Sequence, residues 1–247
     1  MLKLFGFETF DLFLATRPEG FMGDPAVWDR AEHALRGVMQ GLGHPFQVDE
    51  GGGAFYGPKI DLKIKDALGR EWQCSTVQLD FQMPQRFELE YVAPDNTRQR
   101  PVMVHRALLG SIERFIAVLI EHHAGAFPLW LAPLQARVLS VSEKAAGYAN
   151  EVVERLRFEG LRAEADNSAD KLGAKVRRAQ LDKIPYMVVV GEKDMAAHVV
   201  SPRTREGQQH PAEPLDDFVR RLAEEAEPPK LSAPLQPAPA PSVPQGT

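Results

Sequence analysis

The chain has 247 residues, 44% of them hydrophobic and 26% charged, with a formal net charge of −5. That size and balance suit one large or two ordinary globular domains and exclude a globally basic nucleic-acid binder, though a local basic patch stays open. No apolar run reaches the roughly 18 residues of a membrane span, acidic Glu8 and Asp11 interrupt any signal-like core, and Cys74 is the sole cysteine, so disulfides and multi-cysteine metal sites are excluded and a reducing, cytoplasmic setting is expected.

Residues 7–16 alternate aromatic, apolar and β-branched types and predict a strand. Asp24-Pro25 predicts a helix start, a capping carboxylate followed by a residue that needs no amide partner. Val27, Ala31, Leu35 and Val38 keep helical spacing up to Gly41. Gly51-Gly52-Gly53 breaks that pattern. Strands are predicted at 59–66 and 71–81, forming an antiparallel hairpin with one pocket-facing side. A further pair of strands is predicted near 87–92 and 101–106, then a helix over 109–123.

A proline-punctuated stretch, Phe127 to Pro133, separates two domains, 1–127 and 128–226. Beyond it the pattern is βαβ. Strands are predicted at 136–142, 161–165 and 186–190, an edge strand at 198–203, and helices over 144–159, 170–182 and 214–226. The unbroken apolar run Tyr186–Val190 predicts a strand covered on both faces. The predicted fold class is therefore α/β with an α+β element: an antiparallel-sheet first domain and a mixed-sheet second one. Residues 227–247 hold seven prolines and predict a disordered tail.

Three runs carry chemistry. In Gly51–Asp61, GGGAFYGPKID, glycines permit close backbone approach to a ligand, Tyr56 offers a hydroxyl-tipped ring and Lys59 a cation. The competing reading is a hairpin loop with a packed tyrosine. In Glu71–Phe81, EWQCSTVQLDF, Gln73 and Gln78 offer amides for neutral groups, with edge-strand solvation as the plain alternative; simple alternation puts them on opposite faces, so that either one uses its side chain and the other its backbone, or a bulge intervenes. In Val102–Phe115 a short apolar strand bearing His105 turns at Gly110-Ser111 into a helix that opens with Glu113-Arg114. A neutral imidazole can bind zinc, although a lone histidine in an apolar strand is more often packed and hydrogen-bonded. Arg114 can stack on a base or pair with phosphate or a carboxylate. In the second domain Lys171, Lys175, Arg177, Arg178 and Lys183 form a candidate basic helix, whose plain alternative is a solvated face.

In succession, GGGAFYGPKID, WQCSTVQLDF and VHRALLGSIERF closely resemble the threonyl-tRNA synthetases, class IIa aminoacyl-tRNA synthetases, and TRPEGFMGDPAVWDRAEHAL (16–35) resembles the segment just upstream. The likeness covers about residues 4–226, and the third run is similar to motif 3 of the class. The resemblance implies ATP- and Mg2+-dependent joining of threonine to tRNA(Thr) through threonyl-adenylate. It implies a threonine and adenylate pocket at Tyr56, Lys59, Gln73 and Gln78, ATP contacts at Thr76, Ser111 and Arg114, and a zinc ligand at His105. Zinc would penalise valine, which lacks threonine's hydroxyl. The second domain is similar to the class IIa anticodon-binding domain, implying anticodon contacts at Arg177, Lys193, Asp194 and Arg203. Where the family commonly reads Asn-Glu-Lys, this chain has Ala169-Asp170-Lys171, so one amide that the resemblance would place at the anticodon has no match here.

The likeness starts after motif 2. Motif 1, through which the family dimerises, motif 2, two zinc ligands and the editing domain have no counterpart in these residues. The expectation is an N-terminally truncated synthetase polypeptide, inactive alone. A non-catalytic tRNA-binding module and one subunit of a split synthetase are the alternatives.

Overall fold

The computed structural model describes residues 1–230, which fall into two units, Met1–Leu119 and Ile120–Lys230. The proline-rich stretch from 231 onward lies outside the described residues.

In the first unit a 3-10 turn, Leu2–Phe5, precedes β1 (Asp11–Ala15). Helix α1 spans Pro25–Gly41, and the Asp24 carboxylate accepts the Ala26 amide at 2.9 Å. This cap and the proline at the first helical position follow the expected start. β2 (Phe46–Asp49), β3 (Lys59–Lys65) and β4 (Glu71–Asp80) follow. A short helix, α2 (Gln82–Arg86), and a two-residue hairpin, β5 (Tyr91–Val92) with β6 (Arg98–Gln99), lead to β7 (Met103–Ala107) and α3 (Ile112–His122).

The main sheet has the order β2-β1-β3-β4-β7, with β2 parallel to β1 and the other pairs antiparallel. The strand expected near 87–92 is shorter, covering only Tyr91–Val92, and the one expected near 101–106 is Met103–Ala107. Tyr91–Val92 pairs with Arg98–Gln99 across a turn at Asp95-Asn96, while Met103–Ala107 crosses to β4. The Asp80 cap on the amides of Gln82 and Met83 starts a helix that hydrophobic pattern alone did not predict.

The sheet is two-sided in character. Leu35 and Met39 of α1 pack on Leu12 and Leu14 of β1, Phe46, Ile60 and Leu79. Each such buried aliphatic side chain contributes about 1.5–3 kcal/mol. The alternate residues of the same strands, Lys59, Asp61 and Lys63 of β3, line the opposite, polar face.

β4 does not keep strict alternation. Ser75 lies opposite Leu62 and Gln73 opposite Lys63, so Cys74 is an extra, unpaired residue, a β-bulge. Cross-strand partners share a face. Gln73, Thr76 and Gln78, opposite Lys63, Asp61 and Lys59, thus all reach the polar side. Of the two ways to reconcile the spacing of Gln73 and Gln78, the bulge is the one the strand takes.

The second unit contains β8 (Ala136–Ser140), α4 (Ala146–Phe158), β9 (Ala163–Asp166), α5 (Leu172–Leu181), β10 (Tyr186–Val190), α6 (Glu192–Ala197), β11 (Val199–Thr204), β12 (Glu213–Pro214) and α7 (Leu215–Glu225). Its sheet order is β12-β11-β10-β8-β9, with β8 parallel to both β9 and β10. Val138, Tyr186 and Val188 face Val152 and Leu156 of α4 and Phe218 and Leu222 of α7. Leu139 and Met187 face Ala179 of α5. Cover on both faces explains the continuous apolar run of β10. β11 is not an edge strand as predicted, because β12 pairs with its outer side, and α6 is an additional helix. No helix among the described residues is long and apolar enough to cross a membrane.

Candidate functional site

The polar face of the first sheet is a connected set of side chains. Lys59 donates to Asp61 Oδ2 at 2.5 Å, and Gln73 donates to Asp61 Oδ1 at 2.7 Å. Asp61 is 2% exposed, so its charge is answered on both oxygens, as a buried carboxylate requires. Tyr56 donates to Gln78 Oε1 at 2.5 Å, and Gln78 Nε2 donates to Thr76 Oγ1 at 3.3 Å. These bonds fix which end of the Gln78 amide faces which neighbour. Burial, then the charges of Asp80 and Asp61, raise the Tyr56 hydroxyl above its ordinary pKa and keep it a neutral donor.

Tyr56 reaches this position because the glycine-rich loop runs against β4. A Cβ on Gly57 would sit 1.9 Å from the Leu79 carbonyl oxygen, so no other residue fits there. The loop is pinned by Leu79 donating to the Pro58 carbonyl and Phe81 donating to the Tyr56 carbonyl.

Gln78 lies opposite His105 on β7, and the Asp80 side chain meets the same ring. His105 Nε2 is 2.9 Å from Asp80 Oδ2. Burial opposes ionisation of Asp80. The Met83 amide, His105 and the Gln82 amide outweigh it and hold the carboxylate below its ordinary pKa. Phe55, Tyr56, Gln78, Asp80, Arg86 and His105 line one cavity of about 420 Å³, within the range of small-ligand sites. Its lining is partly apolar, through Phe55 and Met83.

Ser111 has a local task. Its Oγ donates to Glu113 at 2.7 Å and accepts the Arg114 amide at 3.3 Å, capping α3. Arg114 carries its guanidinium 5.6 Å from the centre of the Trp72 ring, and no carboxylate pairs with it among the described residues. Lys59, Gln73, Thr76, Gln78, Tyr56 and His105 are thus brought together, whereas Ser111 and Arg114 stand at the start of α3. Asp61, Asp80 and Trp72 join this set without standing out in the sequence by residue type. Asp61 and Asp80 continue the period-two series of Lys59 and Gln78, so same-face parity was the signal that finds them.

In the second unit Arg177 and Lys193 are exposed, with no ion pair among the described residues. Asp194 is committed internally: its oxygens accept the Gly191 amide at 2.8 Å and the Ser201 hydroxyl at 3.1 Å. Arg203 leaves a buried Nε without an acceptor. The candidate basic helix is narrower than its composition. Lys175 is 2% exposed and points inward, and Arg178 is held by Asp166 at 2.5 Å and Asp170 at 2.9 Å. Asp170 of the departing Ala169-Asp170-Lys171 triplet is therefore an ion-pair partner within its own domain.

Comparison with known proteins fits this division. Residues 1–123 match the tRNA synthetase class II core domain (G, H, P, S and T), and residues 135–225 match the anticodon binding domain. The polar sheet face and the mixed-sheet second unit are thus those of a class II aminoacyl-tRNA synthetase. The threonine–tRNA ligase of Pelobacter propionicus is 51% identical over 91% of this chain, and that of Clostridioides difficile is 50% identical over 91%. The RNA binding domain of threonyl-tRNA synthetase from Cryptosporidium parvum matches with a TM-score of 0.85 at 41% identity, covering 90% of this chain and 56% of that one. A structure from Aeropyrum pernix described as a putative threonyl-tRNA synthetase matches with a TM-score of 0.66 at 29% identity, covering 90% of this chain and 57% of that one. The chain belongs to the threonyl-tRNA synthetase family. It spans 35% of the length of each of the two bacterial ligases.

Proposed function

We propose that this chain contributes one wall of the threonine-activating site and the anticodon-reading domain of a threonine–tRNA ligase. The observation that carries the reading is the polar sheet face, on which the bulge at Cys74 gathers Gln73, Thr76 and Gln78 beside Lys59, Tyr56 and His105. In the reaction, threonine's carboxylate attacks the α-phosphate of Mg2+-bound ATP, giving threonyl-adenylate and pyrophosphate, and the tRNA 3′ ribose then accepts the threonyl group. The fixed Gln78 amide and the Tyr56 hydroxyl orient the small polar substrate. Gln73 and Thr76 supply neutral partners for the adenylate, and Arg114 offers a planar cation to the base. Lys59 adds positive charge beside the phosphates, tempered by Asp61. The single cysteine, a buried thiol, suits work in the cytoplasm.

Zinc does not fit these residues by themselves: no group of three histidine, cysteine or acidic side chains placed to hold a metal occurs among the described residues. His105, with Asp80 behind its ring, has the form of one backed donor, and the remaining ligands would come from the length that the relatives carry beyond this span.

The test is threonine-dependent ATP–pyrophosphate exchange, run with the chain alone and with the remaining N-terminal part of the Pelobacter ligase added. Exchange in the combined sample, lost on Lys59→Ala, supports the reading; exchange indifferent to threonine in the combined sample overturns it.

The exposed cations Arg177 and Lys193 favour a second reading, a tRNA-binding module. Binding of tRNA(Thr) that weakens steeply with salt and drops on Arg177→Ala supports it, and absence of binding at low salt refutes it.

A further inference from the structure

Trp72 is the residue before Gln73 on β4 and lies opposite Ile64. Its indole Nε1 donates to Asp66 Oδ2 at 2.8 Å. The Asp66 side chain is fully enclosed. It also accepts the amides of Leu68 and Arg70, each at 2.9 Å, and Arg70 Nε at 2.6 Å. Burial works against the charged carboxylate, yet the bonds from Trp72, Arg70 and Leu68 outweigh it and hold Asp66 well below the ordinary range. This hydrogen bond favours one orientation of the indole, whose ring then offers a surface of defined position. Against that surface rest two guanidinium groups, Arg70 at 5.8 Å and Arg114 at 5.6 Å from the ring centre.

Arg70 already has Asp66 as its ion-pair partner. Arg114 has none among the described residues, so the Trp72 ring is the group that restrains it. A long arginine at the exposed start of a helix samples many rotamers, and holding it in one costs entropy at the moment of binding. An aromatic surface removes much of that cost beforehand, because a guanidinium stacks by one face and leaves the other free for a nucleobase.

We propose that Trp72, tethered by Asp66, is a positioning residue that presents the Arg114 guanidinium to the adenine base of ATP. The proposal rests on the ligase reading, in which Arg114 meets the base. It assigns the hairpin Asp66–Trp72 a part in nucleotide affinity, away from the Tyr56–His105 cavity.

The experiment compares Trp72→Leu, Trp72→Phe and Asp66→Asn in the full chain. Exchange is measured with the Pelobacter N-terminal part added, varying ATP and threonine separately. Trp72→Leu is expected to raise KM for ATP about fivefold, with kcat and KM for threonine within about twofold, and Trp72→Phe and Asp66→Asn, which each keep a ring without the tether, to fall between it and the parent. An unchanged KM for ATP in Trp72→Leu, or a parallel rise in both KM values, overturns the proposal. If the parent protein shows no threonine-dependent exchange, the ligase reading fails while the positioning contact is still decided by the Arg114 side-chain Nε–H resonance of 15N-labelled chain, assigned through Arg114→Lys. A ring-shifted signal that collapses to the free-arginine position in Trp72→Leu supports the contact; a signal that does not move refutes it.

Discussion

The His105 imidazole and the Asp80 carboxylate meet at 2.9 Å across β7 and β4, with Asp80 only 3% exposed on its side chain. The same carboxylate caps α2 through its other oxygen. One buried group thereby ties together a pocket strand, its neighbour and the helix that follows.

Asp80 is held below its ordinary pKa. A group with a depressed folded-state pKa contributes stability above its unfolded value, about 4, and loses it as pH falls through the lower folded value. Asp80→Asn is therefore expected to lower the melting temperature at neutral pH and to flatten its fall below about pH 4. Thermal unfolding of both proteins across that range reads the difference directly. Parallel curves for the two proteins would contradict the assignment.

Gly110 has φ +65°, and a Cβ there would lie 3.1 Å from the Cys74 carbonyl oxygen, the bulge itself. Gly110→Ala should cost about 1–2 kcal/mol through the left-handed backbone alone. Denaturant unfolding measures it, and Gly37→Ala, inside α1 with open space around it, serves as the reverse control. That substitution should stabilise by about 0.5–1 kcal/mol.

Asp166, pulled down to about 2, is opposed by burial and favoured by Arg178 and Ser168. Its contribution, about 2 kcal/mol, is present above about pH 4 and disappears as pH falls toward 2. Arg178→Met should remove most of that acid sensitivity from the second unit. Circular dichroism followed against pH tests this; an unchanged acid midpoint counts against it.

Lys175 is buried with its ammonium on the Ser140 carbonyl at 2.8 Å and the Asp166 carbonyl at 3.0 Å, at the ends of β8 and β9. Lys175→Met keeps the stem but removes the ammonium from the buried Ser140 carbonyl and leaves the part-buried Asp166 carbonyl with the Ser140 hydroxyl at 3.3 Å, so a loss of about 1–3 kcal/mol is expected in denaturant unfolding. Arg177→Met, on the exposed side of the same helix, is the control and should leave stability within about 0.5 kcal/mol of the parent. Equal losses in the two variants would mean that the inward ammonium has no special part.

Much of this was legible in the chain. Asp24-Pro25 marked the start of α1, and the unbroken apolar run of β10 announced a doubly covered strand. Each is a local signal whose cause lies within a few residues. The β5–β6 hairpin and α2 were not legible, because they depend on the Asp80 cap and on a turn at Asp95-Asn96 rather than on hydrophobic period. At the site, residue types and order were readable, but partnership was not. That Asp61 serves both Lys59 and Gln73, that Lys175 turns inward, and that Asp194 commits both oxygens to the Gly191 amide and the Ser201 hydroxyl are consequences of register and burial, which no linear spacing records.

The unpaired Cys74 also makes chain length in this strand matter more than chain chemistry. Downstream of it, every residue's side of the sheet is set by a count that begins at the bulge. Losing one residue between Cys74 and Gln78 would turn Val77 and Leu79 toward water and Gln78 toward Leu35 and Met39, exchanging pocket for core in a single step. Substitution in this segment is a graded injury, whereas insertion or deletion reverses the sheet.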